Sequence, residues 1–274
     1  MKRTILLPAL KGNITIIFLL AGGIFSVLRG QPLSEQRIRE IHDQLVTIDS
    51  HTDTPLRMSR EGFDISQRHD PRKDYSKIDF PRMKEGGLDG AFFAVFVSQG
   101  PRTEKGYEKV RGRSLELFDT IDAALRRNPD LAAHAVTPED IRRLEKEGRR
   151  AILIGVENGY AIGKDMSLIS TYYLRGARYI TLCHTKNNDI CDSSNDTTEH
   201  GGLSEFGKNV VKEMNHVGMM IDISHISDAA VEDVLEITKA PVIASHSCAR
   251  AVCDNPRNLT DLLLRKIARN GGVV

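Results

Sequence analysis

From residue 150 onward the chain alternates short apolar runs with amphipathic ones at a nearly constant interval. "RAILIGVENG", "ARYITLCH", "MMIDISH" and "PVIASHS" read as strands. "LISTYYLRG", "SEFGKNVVKEMNHVG", "SDAAVEDVLEITK" and "LTDLLLRKIARNG" read as the helices that follow them. The strands are almost continuously apolar, so both faces need cover, which a parallel sheet flanked by helices provides. Upstream, "LVTIDSH" and the Gly-bounded run at residues 86–100 add two strands, and "GVV" at residues 272–274 opens a seventh. In an open doubly wound sheet, chemistry would gather at one crevice between strands. Here polar groups close almost every strand, the pattern of an α/β (β/α)8 barrel of TIM type, whose site is built at the C-terminal ends of many strands. The count is one strand short of eight.

Other segments are read from caps and periodicity. Residues 31–45 predict a helix with Ser34 as N-cap, and residues 104–127 a long one. "TPEDIRRLEKEG" carries an N-cap, Pro at the first helical position and a closing Gly. Residues 57–82 read as polar loop.

The first thirty residues differ from the rest. Lys2 and Arg3 precede a continuously apolar or small run at residues 14–28, with no acidic residue before Glu35. That run is shorter than the roughly 20 residues a membrane-spanning helix needs. It reads as an export signal at residues 1–30, cut near Ala21/Gly23 or Gly30, with an uncleaved N-terminal anchor as the alternative. An exported protein, periplasmic or extracellular, is therefore expected, touching membrane only through that segment. Residues 31–274 form the remaining domain. The formal charge of the chain is +1, with no basic run able to track a phosphate backbone, which argues against nucleic acid. Four cysteines, Cys183, Cys191, Cys248 and Cys253, include no C-x-x-C pair, so a zinc ribbon is excluded and any disulfide pairing stays open.

The strand ends carry the chemistry. The first ends His51-x-Asp53; later ones end at Glu157, His184, His225 and His246. Residues i and i+2 on a strand point to the same side, so His51 and Asp53 can converge on one ion. A single strand-end His is more often a hydrogen-bonded structural residue, and Glu157 beside Asn158 could be a cap. Recurrence at equivalent places in consecutive strand units favours a metal centre of imidazole and carboxylate, the donors that suit zinc and related first-row ions. The set is large for one catalytic ion and fits two that share a carboxylate. His42, His134, His216, His69 and His200 lie on helices or in loops, and Asp222 reads as structural. No G-x-S-x-G elbow, P-loop or G-x-G-x-x-G is present, and strand alternation turns Cys183 away from the side of His184.

The stretches "DSHTDTP", "GGLDGAFFAVF", "ILIGVENGYAIG", "GARYITLCHTKNN", "HGGLSEFGKNVVKEMNHVGMMIDISHIS", "PVIASHSCARAVCDNPRN" and "GGVV" resemble, in order, the renal-type (membrane) dipeptidases, zinc enzymes of the amidohydrolase superfamily. The family's usual "HNDLP" reads "HTDTP" here, a departure that leaves the ligands in place. The resemblance implies two Zn2+, with Mn2+ or Co2+ as substitutes: His51 and Asp53 on one, His225 and His246 on the other, and Glu157 bridging. It implies that His184 contacts the substrate and helps polarise the scissile carbonyl, and that Arg257 holds the substrate's C-terminal carboxylate. Attack by a metal-bound hydroxide on the peptide bond of a dipeptide, including one with a C-terminal D-residue, and a homodimer are implied likewise. The acid/base Asp of the family would lie beyond Val274, so no catalytic residue of that kind is identified in this chain. The reading is of a barrel whose C-terminal part is missing. Two other readings stay open: another binuclear amide or lactone hydrolase on the same scaffold, and a catalytically impaired metal- or peptide-binding fragment.

Overall fold

The structure is a computed structural model that describes residues 19–20, 23–24 and 33–274. Most of residues 1–30, including the export or anchor segment, lies outside the described residues. The chain divides into two units, Met1–Gln44 and Leu45–Val274. In the first, β1 (Leu19–Leu20) pairs antiparallel with β2 (Gly23–Ile24). Helix α1 (Glu35–His42) starts as expected, with Ser34 Oγ accepting from the Arg37 N–H. No helix among the described residues is long and apolar enough to cross a membrane.

The second unit is built on a parallel sheet. Its strands are β3 (Ile48–Thr52), β4 (Gly90–Phe96), β5 (Ala132–His134), β6 (Arg150–Glu157), β7 (Ala177–Thr181) and β8 (Met220–Asp222). The path runs β3-β4-β6-β7-β8, all parallel. It continues by single parallel bridges from Asp222 to Ile243 and from Ile243 to Val273. "PVIASHS" and "GVV" therefore hold the two expected sheet positions as isolated bridges, without forming strands. The short β5, which sequence periodicity does not reveal, pairs with residues 150–152 of β6, below the place where β7 joins it.

The sheet is strongly curled. Five inter-strand steps of about 4.8 Å separate β3 from the Ile243 position, so a flat sheet would hold them roughly 24 Å apart. Yet Ser50 Oγ donates to Ser245 O at 2.5 Å, and the His51 and His246 rings stack at 3.9 Å. β3 and the Ile243 position meet across an interior, so the wall is part of a barrel. Strand alternation fills that interior. Phe92, Ala151, Leu153 and Tyr179 pack together there with Met220 and Ile243, while Phe93, Val95, Ile152, Ile154 and Val156 face the helices.

Helices follow the strands as the sequence predicts: α5 (Glu104–Arg127), α6 (Pro138–Lys146), α7 (Ser167–Leu174), α8 (Glu205–Val217), α9 (Asp228–Ile237) and α10 (Asp261–Asn270). Residues 57–82 hold more structure than a polar loop. They carry the end of α2 (Thr54–Met58), α3 (Pro71–Asp74) and the start of α4 (Phe80–Glu85). Asp70 and Asp79 cap the latter two, each accepting a backbone N–H at the start of its helix.

Candidate metal centre

Residues 151, 153, 155 and 157 share the interior face of β6, which puts Glu157 at the top of the barrel lumen with 3% of its surface exposed. Four imidazoles surround its carboxylate. Oε1 lies 3.1 Å from His225 Nε2, 3.3 Å from His246 Nε2 and 3.7 Å from His184 Nε2; Oε2 lies 3.4 Å from His51 Nε2. His225 Nε2 and His246 Nε2 are 2.8 Å apart. The donor atoms form two overlapping groups, His51–Glu157–His246 and Glu157–His184–His225, and Glu157 belongs to both.

Asp53 stands at the margin of this cluster. The ladder shifts register within β3, and Asp53 has already left the strand to become the N-cap of α2, where its side chain makes no cap bond. Its Oδ1 is 3.8 Å from His51 Nε2, and 59% of the side chain is exposed, leaving the carboxylate free to turn inward. Arg257 reaches in from the loop after His246. Its Nη1 donates to Ser247 Oγ at 2.8 Å and Nη2 to the His246 carbonyl at 3.1 Å, so part of its fork of donors remains open.

Hydrogen bonds to the far ring nitrogens determine what the cluster presents. Tyr179 Oη donates to the Ser50 carbonyl at 3.2 Å, so its oxygen is left to accept from His51 Nδ1 at 2.9 Å. His51 Nδ1 then carries the proton and Nε2 a lone pair aimed at Glu157. The same reasoning holds for His246. Ser245 Oγ gives its one proton to Asp222 Oδ2 at 2.6 Å and therefore accepts from His246 Nδ1 at 2.8 Å. Two lone pairs directed at one shared carboxylate make poor hydrogen-bond geometry and good ligand geometry. The residues present fit first-row divalent ions on this donor chemistry.

Charge supports the fit. Burial would raise the Glu157 carboxyl, but the imidazoles of His225, His246 and His51 packed around it hold it well below the ordinary carboxylate range. Burial pushes His225 down to about 4, a fall that Glu157 opposes and the nearby Arg257 reinforces. His184 is lowered mainly by burial as well, with Arg257 contributing. For His225 and His184 this favours the neutral imidazole that binds metal, whereas at His51 burial is outweighed by Glu157, Asp53 and Asp222, which raise it.

Two backbone turns place the candidate ligands. His225 sits at φ 71°, a left-handed conformation unusual for a residue with a side chain, and Asn158 follows Glu157 at φ 81°. Asn158 is tied down by Nδ2 to Val97 O at 3.1 Å and by Oδ1, which accepts from Tyr160 N at 3.1 Å. Sequence reasoning treats Asp222 as structural, and passes over Tyr179 and the supporting role of Ser245. Asp222, with none of its surface exposed, accepts from Ser224 N, Ser245 N, Ser245 Oγ and Thr181 Oγ1, a complete set for a buried carboxylate. The available signal was inward parity: Tyr179, Thr181, Asp222 and Ser245 are polar groups at lumen-facing positions of otherwise apolar strands.

The profile of the membrane dipeptidase family, peptidase family M19, matches residues 35–274. The chain belongs to that family. Dipeptidase verJ of Clonostachys rogersoniana is 39% identical over 203 residues, covering 71% of this chain and 52% of the relative. Dipeptidase 3 of Mus musculus is 35% identical over 252 residues, covering 88% and 48%. The chain thus spans about half the length of the curated relatives it matches. Among solved structures, the probable dipeptidase PvdM from Pseudomonas aeruginosa superposes with a TM-score of 0.80 at 31% identity, covering 87% of this chain and 61% of that one. A metallo peptidase from Rhodobacter sphaeroides, solved with a phosphinate mimic of the dipeptide L-Ala-D-Ala, gives 0.74 at 26% identity, covering 84% and 73%.

Proposed function

We propose that this membrane dipeptidase family member carries the metal centre and the substrate-carboxylate site of an exported, zinc-dependent dipeptidase. The observation that carries the reading is the division of the Glu157 carboxylate: one oxygen faces His51, the other faces His225 and His246. Such a carboxylate suits two ions, one held with His51 and Asp53, the other with His225 and His246. Zinc-class ions there would supply Lewis acidity, activating water and polarising a carbonyl. The protein's own groups orient the ligands and the substrate. Tyr179 and Ser245 hold the His51 and His246 rings in the ligand tautomer. His184 lies at the edge of the cluster, 23% exposed, where its Nε2 can meet a substrate carbonyl oxygen. Arg257 offers a planar fork to a carboxylate, which selects a peptide ending one residue beyond the scissile bond. Likeness to a metallo peptidase solved with a dipeptide mimic supports this substrate class.

The test is hydrolysis of a dipeptide and of its C-terminal amide by the zinc-loaded chain, with metal counted by elemental mass spectrometry. About two equivalents per chain, turnover of the free acid and a loss of roughly 10–100-fold in Arg257→Gln are expected, the size of a lost charge-assisted pair. Equal turnover of the amide would point to the wider class of amide and lactone hydrolases on this scaffold.

A further inference from the structure

His184 stands where no sheet bond reaches it. β7 ends at Thr181, whose register partners are Glu157 on one side and Asp222 on the other, and His184 lies beyond that last pair. Among the described residues no backbone N–H donates to its carbonyl. The bond comes instead from a side chain. Ser193, with 3% of its surface exposed, donates its hydroxyl to His184 O at 2.6 Å. Cys183 Sγ, a weak donor, is 3.7 Å from the same carbonyl. A hydroxyl has one proton, so the His225 carbonyl, 3.4 Å from Ser193 Oγ, is the lesser acceptor. His225 O has a donor of its own in Ser194 N at 2.8 Å.

The segment that presents Ser193, the connection between β7 and α8, is itself held by buried polar groups. Ser193 N donates to Asn187 Oδ1 at 2.7 Å. Asn188, 1% exposed, donates from Nδ2 to Leu182 O at 2.8 Å and accepts at Oδ1 from Ile190 N at 2.9 Å. The buried Asp192 carboxylate accepts the backbone N–H groups of Glu199, His200, Gly201 and Gly202. The hydroxyl is therefore aimed by a rigid turn. The His184 ring, by contrast, has little to aim it. Hydroxyls fix the His51 and His246 rings, but no hydrogen bond reaches a ring nitrogen of His184 among the described residues; its Nε2 is 3.7 Å from Glu157. Its ring contacts are Phe96 at 4.8 Å and His225 at 4.2 Å between centroids. Its direction then depends on its backbone. Resting on the dipeptidase reading, in which His184 meets the substrate carbonyl, we infer that Ser193 is the positioning residue for His184, acting through the His184 carbonyl.

The experiment measures kcat and KM for the dipeptide Ala-Ala on the zinc-loaded chain, on Ser193→Ala, on His184→Ala and on the double variant, with zinc affinity read by competition with a chromophoric chelator. In Ser193→Ala kcat is expected to fall about 10–100-fold, the range that a small misplacement can reach, with KM within about threefold. Zinc affinity should stay within about threefold of wild type, because His225 O keeps its bond from Ser194 N. In the His184→Ala background the same substitution should change kcat by less than about twofold, since a residue that acts through His184 has nothing left to position. An unchanged kcat in Ser193→Ala, a matching loss of zinc affinity, a loss of kcat that persists in the double variant, or a Ser193→Ala chain that no longer melts cooperatively each overturns the assignment and leaves the dipeptidase reading in place. So does a His184→Ala chain as active as wild type. A wild-type chain that holds zinc yet turns over no dipeptide instead defeats the dipeptidase reading, and the assignment with it.

Discussion

Tyr179 reaches across the lumen to His51 because nothing stands in its way at position 155. A Cβ built on Gly155 would lie 2.0 Å from the Tyr179 ring. The two residues are register partners on neighbouring strands, so the ring cannot slide aside without breaking the ladder. Gly155→Ala should therefore destabilise the fold by about 1–3 kcal/mol, the usual range for overpacking, and urea unfolding would measure it. A stability within 0.5 kcal/mol of wild type would mean that the ring has room to move. Tyr179→Phe separates position from packing. It keeps the ring and removes only the hydroxyl that accepts from His51 Nδ1. Zinc affinity, read by competition with a chromophoric chelator, should fall roughly tenfold or more with stability little changed. The same affinity in Tyr179→Phe would show that the His51 tautomer is determined elsewhere.

Individual elements show where sequence reasoning succeeds. Helix α6 is legible because everything that starts it is local. Thr137 Oγ1 accepts from the Asp140 N–H at 3.1 Å, Asp140 Oδ2 accepts from the Thr137 N–H at 3.1 Å, and Pro138 opens the helix. Hydrogen bonds from Arg143, Val136 and Thr137 lower the Asp140 carboxyl to about 2. A carboxyl lowered on folding stabilises above its ordinary value near 4, and that contribution disappears as the pH falls toward 2. The stability gap between wild type and Asp140→Asn should be full at pH 5–7 and shrink below about pH 4 when followed by thermal melts. Thr137→Ala should cost about 1 kcal/mol at neutral pH. Strand β5 lacks such a local signal: "AAH" has no strand preference and is ordered by pairing with residues 150–152 of β6. The metal-centre residues fall between these cases. Histidines closing apolar strands stand out in the sequence, and the structure brings His51, Glu157, His184, His225 and His246 together. The hydroxyls that orient them do not stand out, since Tyr179 reads as core in a buried strand. Its role depends on a contact 128 residues away, visible only once the sheet is curled.

At the scale of the whole second unit, the cluster joins the first strand of the path to its far side, with His51 on β3 and His246 just beyond the Ile243 position. Without ions this junction is weak. It consists of a buried carboxylate among imidazoles at 3.1–3.7 Å, a Ser50–Ser245 hydrogen bond and one pair of stacked rings. On the proposed ligand assignment, ions held between β3 and the Ile243 side tie the wall together, so metal affinity would be expressed as fold stability. Zinc free at one hundred times its dissociation constant should stabilise the native state by about 2.7 kcal/mol per site, provided the unfolded chain binds little. For a unit of this size that corresponds to a rise of roughly 5–10 °C in Tm. Chelation by EDTA should reverse the rise. In Glu157→Gln the response to zinc should be lost, because the substituted amide no longer supplies charge to ions on both sides. A Tm that stays put while elemental analysis shows the metal stripped away would sink the claim that these ligands clasp the wall. A residual, smaller response in Glu157→Gln would instead mean that His51 or the His225–His246 pair retains one ion without the shared carboxylate.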